Sequence, residues 1–267
     1  MGERHARTTK AATQGVSGEL GLLPALGLET RKLRHKHLLL VAIGMLAMQL
    51  LWLAYVVLVH PSDGFTDYRI LLFQIPLLNA VFLPLLSCVV SSTECDVETR
   101  GNMFKSLLTM QRAGALFWIK WLFSAGLMAA VVTLQTVVLT ILAGAGGLDA
   151  IPAGELVVYW VSTFAVCVFC TSLAQALSLL TRSQFAPMVV GVALSFFGLF
   201  SMYFPESVTR LVPSAYFALL STVEVSVQGK TVMYLSHPWP WGYLVALLAA
   251  TAAVSVLAAH AFKRKEL

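Results

Sequence analysis

The sequence predicts an all-α integral membrane protein with six transmembrane helices, both termini in the cytoplasm, an N-terminal interfacial helix and a cytoplasmic helix between spans two and three. Three observations predict it. Of its 267 residues, 58% are hydrophobic and only 12% charged, with a mean hydropathy of +0.80, whereas soluble domains carry about 25% charged residues. Six apolar runs, at about 38 to 60, 70 to 93, 121 to 147, 156 to 181, 185 to 205 and 241 to 261, contain no Asp, Glu, Lys or Arg. As helices each covers a hydrocarbon core of roughly 30 Å. Finally, an inside N-terminus puts seven Lys/Arg before the first span, four in the second loop, Arg182 in the fourth and three at the end. That is 15 of the 18 cations on one side, leaving Arg69, Arg210 and Lys230 outside, a strong positive-inside bias.

Residues 1 to 18 are short, polar and rich in Thr, Ala and Gly, and are expected to be a disordered tail. No short apolar core with a small-residue cleavage site precedes residue 37, so the first span is expected to stay as an anchor. Between them, "ELGLLPALGLETRKLRHKH" (19 to 37) joins a Leu-rich piece to a basic one. Such a segment can lie in the interface with its cations near anionic lipid headgroups, or simply fix topology. The second span carries Pro76 and Pro84, which predict kinks, with the polar Gln74 and Asn79 nearby. The fourth and fifth spans are divided only by "TRSQ" (181 to 184), where Arg182 and the following Pro187 favour a tight reversal over one long helix. In the fifth, Gly191, Ser195 and Gly198 allow close backbone approach within the bundle or across a dimer. The stretch 205 to 240 is too apolar for a solvated loop and too interrupted to span; short helices dipping into the outer leaflet are expected, with Trp239, Trp241 and Tyr243 at the interface.

Several chemistries are disfavoured. No span contains an internal Asp, Glu, Lys or Arg, although enzymes and ion-coupled carriers place such groups at bilayer depth, at a cost of about 3 kcal/mol each on insertion scales. His60 and His260 sit at span ends. "GKT" at 229 to 231 echoes a phosphate-binding loop, but the Gly needed at position 224 is Glu. Cys167 and Cys170 match C-x-x-C inside an apolar run, where small thiols pack between helices, and four cysteines in all suggest no disulfide framework. The six His form no metal-binding spacing, and "RKLRHKH" reads as a topology and lipid signal rather than a nucleic-acid or metal site. Uncharged polar groups remain: Thr133, Thr136 and Thr140 share a face of the third span beside Gln135, and the fourth carries Ser162, Thr163, Thr171, Ser172, Gln175 and Ser178. These either join helices by hydrogen bonds or, with Gln74 and Asn79, line a path for an amphipathic solute.

The charged interruption is the segment 94 to 120. Glu94, Asp96 and Glu98 precede Arg100, Lys105, Arg112 and Lys120, and on a helix Met103, Leu107 and Met110 share a side with Phe104 and Leu108 adjoining. An amphipathic cytoplasmic helix results, able to meet lipid or a protein groove. The order of basic flank, first span, Glu94, Glu98, Gly101, Lys105, Leu107 and Leu108, then Phe117 and Lys120, resembles the permease subunits of ABC-2 type exporters. The size, the "ETRKLRHKH" stretch and this loop look more narrowly like permeases that export lantibiotics and bacitracin-like peptides and give immunity. The resemblance covers residues 19 to 267, with 38 to 267 as the six-span ABC-2 type transmembrane domain. It departs where relatives often have Pro near Met110.

That resemblance implies a coupling helix docked on a separate cytoplasmic ABC ATPase, which would hold ATP and Mg while this chain binds no cofactor itself. Glu94 and Glu98 would end the second span, Gly101 would allow the turn, and Met103, Phe104, Lys105, Leu107 and Leu108 would contact the ATPase. A second permease copy or a paralogue would complete the transporter in a bacterial plasma membrane. The substrate class would be an amphipathic peptide or hydrophobic drug, carried past Gln74, Asn79, Thr133, Thr136, Thr140 and Gln175. The other class of reading is a non-transporting membrane scaffold or sensor whose loop recruits a cytoplasmic partner.

Overall fold

The computed structural model describes Gly27 and residues 38–58, 66–100, 113–228 and 231–266. The expected tail (1 to 18), all of the interfacial segment but Gly27, and the loop positions 101 to 112 lie outside the described residues. Five helices are long and apolar enough to cross a membrane: α1 (Leu38–Leu58), α2 (Arg69–Arg100), α3 (Ala113–Ala145), α4 (Ala153–Thr181) and α6 (Trp241–Glu266), with the shorter α5 (Phe185–Leu199) between the last two. Helices suit such runs because each satisfies its own backbone donors and acceptors where water is absent.

The fifth run departs from expectation. Its α-helix has 15 residues, about 22 Å of rise, and changes to a 3-10 helix at Phe200–Tyr203 ahead of Pro205. The reversal before it is tight as expected: Arg182 caps α4 in the left-handed region (φ 52°). A second departure follows. Single helical turns at Glu206–Thr209, Pro213–Ala215 and Tyr216–Leu219 give way to a hairpin, β1 (Val223–Gln228) and β2 (Thr231–Ser236), antiparallel with Val223 opposite Ser236 and Gln228 opposite Thr231. An all-α class is therefore incomplete. The cause is local: "VEVSV" alternates β-branched Val with polar residues, a strand period that short helices cannot satisfy.

The core runs along α2 and α4. More than half of the spanning part of each is buried, 56% and 61%, against 28% for α1 and 33% for α3 and α6. The outer faces of α1, α3 and α6 present Leu39, Leu40, Leu51, Ile141, Val245 and Leu257, as lipid-facing helices do. The turns at 213 to 220 sink into the bundle: Phe217 and Leu220 join the main apolar cluster with Leu83, Leu86, Val166 and Leu194.

Contact between α2 and α5 follows from two residue types. Pro84 has no backbone N–H, so the Ala80 carbonyl one turn earlier loses its helical donor. Gly198 lies against that carbonyl: a Cβ there would fall 2.9 Å from the Ala80 oxygen and 2.9 Å from the Ser214 Cβ. At Gly191 a Cβ would meet the Cys88 Cβ at 2.8 Å. The small residues of the fifth run thus serve packing inside the bundle. All four cysteines are buried and none is in a disulfide.

Candidate functional site

Polar side chains inside the bundle collect in two layers. The first lies at mid-bundle and draws one residue from each of the first four helices: Gln49 on α1, Asn79 on α2, Gln135 on α3 and Tyr159 on α4, all buried. The Asn79 Oδ1 accepts from Gln49 Nε2 at 2.5 Å and from Gln135 Nε2 at 2.8 Å. Asn79 Nδ2 donates to the Tyr159 hydroxyl at 3.1 Å, which donates in turn to Gln135 Oε1 at 2.6 Å. Every member is uncharged, so four helices are joined with no ionised group at depth. A cavity of about 20 Å³ adjoins it, bounded by Asn79, Glu155, Tyr159, Ser162 and Thr163, room for about one water.

The second layer lies where α2 and α3 approach the loop, and it is ionisable. Glu94 is 2% exposed and Lys120 1% exposed. Lys120 Nζ donates to the Glu94 carbonyl oxygen at 3.2 Å, and Ser124 Oγ, one turn further along α3, donates to the Glu94 carboxylate. Gln175 Nε2 on α4 donates to the Phe117 carbonyl at 2.9 Å. Trp121 Nε1 and Ser255 Oγ, from α3 and α6, both donate to Ser172 Oγ on α4, at 2.8 and 3.1 Å. Apolar support comes from Phe117, Leu179 and Phe262. Both ionisable groups lie one residue outside the uncharged runs, Glu94 after the second and Lys120 before the third, so the runs themselves hold no Asp, Glu, Lys or Arg. The sequence hid them because Glu94 and Lys120 flank the apolar runs, while the helices extend past those runs, α2 to Arg100 and α3 from Ala113.

At the opposite end, Arg69 faces Asp67 at 3.6 Å and donates to the Tyr234 carbonyl of β2 at 3.5 Å. Tyr68 donates to Glu155 at 2.9 Å; burial first, then the neighbouring Glu155, raises its hydroxyl above the usual phenol range, so it stays a donor. Next to this end a cleft of about 580 Å³ opens between α2, the end of α5 and β1, lined by Phe73, Gln74, Leu77, Ser201, Val223 and Glu224 among others.

The residues expected along one solute path are dispersed. Asn79 belongs to the mid-bundle layer, Gln175 to the ionisable layer, and Gln74 to the cleft. The threonines of α3 turn outward: Thr133 and Thr140 are exposed, Thr136 half-buried, and each hydroxyl bonds the carbonyl four residues earlier. Of the expected ATPase contacts, Glu94 is buried and Glu98 lies on the last turn of α2. Gly101, Met103, Phe104, Lys105, Leu107 and Leu108 lie outside the described residues.

Comparison with known families adds the deciding observation. The sequence model of a family described as "ABC-2 family transporter protein" matches residues 25 to 198, more than half of the chain. The chain belongs to the ABC-2 transporter family. No curated protein matched it. The match takes in α1 to α4, nearly all of α5, the mid-bundle layer, the α2 to α4 members of the ionisable layer and the whole loop between α2 and α3. As an ABC-2 family member the chain is a multi-pass membrane protein and a permease component of an ABC transporter, and membership implies association with an ABC ATPase in general. Among the described residues no group of three or more His, Cys, Asp or Glu comes together.

Proposed function

We infer that this ABC-2 permease forms the membrane path of an ATP-driven exporter of amphipathic peptides or hydrophobic drugs, giving its cell resistance or self-immunity. ATP and Mg bind to a separate cytoplasmic ATPase that engages residues 102 to 109, and a second permease copy or a paralogue completes the transporter. The observation that carries this reading is the family match across the loop and the spans on both sides of it. Six crossings fit the dimensions: 15 α-helical residues of α5 rise about 22 Å, and the four-residue 3-10 helix after it adds about 8 Å, together about the core thickness. With six crossings, the Lys/Arg bias supports a cytoplasmic position for both termini and the loop.

The large cleft supports this substrate class. Its walls are mainly apolar, with Gln74, Ser201, Ser221 and Glu224 interspersed, and its volume lies within the usual range of about 300 to 1,000 Å³ for ligand pockets. An apolar wall with few polar anchors suits a solute that partitions into lipid and carries a polar end. The test is resistance to bacitracin and to a lantibiotic in cells producing the permease with its ATPase, with either alone, or with neither. Resistance only with both is expected; no gain in resistance and no peptide efflux from cells producing both would overturn the reading. Separately, Met103→Asp with Leu107→Asp is expected to abolish co-purification of the ATPase while leaving the permease in the membrane.

A further inference from the structure

The ionisable layer sits at the neck of the loop. Glu94 is the last carboxylate of α2 that is seen buried before the loop, and Lys120 is the first cation of α3 after it. They meet although 26 residues separate them in sequence. Lys120 holds the backbone of Glu94 and Ser124 holds its carboxylate, so one residue of α2 is bonded twice by α3. From α3 the connections continue: the Phe117 carbonyl is held by Gln175 of α4, and Trp121 shares Ser172 of α4 with Ser255 of α6. Displacing the neck therefore pulls on both helices.

Two buried ionisable groups are a poor means of gluing helices, because apolar residues of similar volume usually hold as well or better. What they offer is a second stable arrangement. At the edge of the hydrocarbon, parting α2 from α3 admits water, and each charge exchanges its protein partners for hydration, so parted and closed necks differ little in free energy. An all-apolar neck would lose by parting. Directional bonds also make the closed neck a discrete state rather than a sliding contact.

We propose that Glu94 and Lys120 are positioning residues that form a clasp at the base of the loop, closed in this structure and parted when the loop is displaced, passing that displacement to α4 and α6. The proposal rests on the permease reading. The experiment uses the permease co-produced with its ATPase and reconstituted in nanodiscs, with kcat and KM for ATP measured for the complex. Lys120→Met should assemble with the ATPase at wild-type stoichiometry and keep the wild-type KM for ATP, yet lose at least tenfold in kcat; Lys120→Arg should recover most of that loss. Ser124→Ala, a milder change that keeps both ionisable groups, should lose about threefold and decides the matter if Lys120→Met does not fold. Wild-type kcat in an assembled Lys120→Met or Ser124→Ala complex would overturn the clasp alone. A wild-type permease that captures no ATPase would overturn the permease reading beneath it.

Discussion

The two buried polar layers share α2, α3 and α4 but use opposite chemistry. At mid-bundle, Gln49, Asn79, Gln135 and Tyr159 are joined by hydrogen bonds without charge; at the loop end, Glu94 and Lys120 are ionisable groups tied by a serine and a backbone carbonyl. Depth explains the difference. A charge at the centre of the bilayer has no nearby water to return to, whereas one at the edge can be rehydrated by a small movement. The central layer is suited to holding four helices in one arrangement, and the edge layer to changing it.

The largest expected effect breaks the charged layer. Lys120→Ala removes a fully buried side chain and its bond to the Glu94 carbonyl and should cost about 3 kcal/mol, as truncations of large buried side chains do, seen as loss of folded permease on heating in nanodiscs. Replacing Asn79 by Leu removes three hydrogen bonds at once and should cost about 2 kcal/mol, since interhelical bonds in membranes average about 0.6 kcal/mol with a maximum near 1.7; the same melting measurement reads it. If Asn79→Leu proved the costlier, the division of roles between the layers would be wrong. A finer probe is Tyr159→Phe, which loses the donor to Gln135 and the acceptor for Asn79 while keeping the ring, for about 1 kcal/mol. Thr133→Val supplies the baseline: its hydroxyl bonds its own helix and Trp160 on the outer face, so a change within about 0.5 kcal/mol is expected.

Legibility differed in the same way between regions. The first four spans and the last were plain from apolar length alone, because a 20-residue uncharged run has few alternatives in a membrane. The hairpin at 223 to 236 was missed although "VEVSV" carried its period, since the surrounding Leu, Phe and Ala suggested leaflet helices instead. Thr133, Thr136 and Thr140 were correctly placed on one helix face, but helical spacing does not say which way that face turns, and here it turns out of the bundle. Gln135, noted only as their neighbour, is the residue of that group that reaches the core.

By itself the sequence determined the membrane setting and the long helical spans, because hydrophobic length acts locally along the chain. Only the tertiary structure decided that Glu94 meets Lys120 and Ser124, that Asn79 gathers three other helices, and that Gly198 lies on the carbonyl freed by Pro84. Those pairings join residues tens of positions apart, and helix rotation and approach, which no local period specifies, bring them within bonding distance.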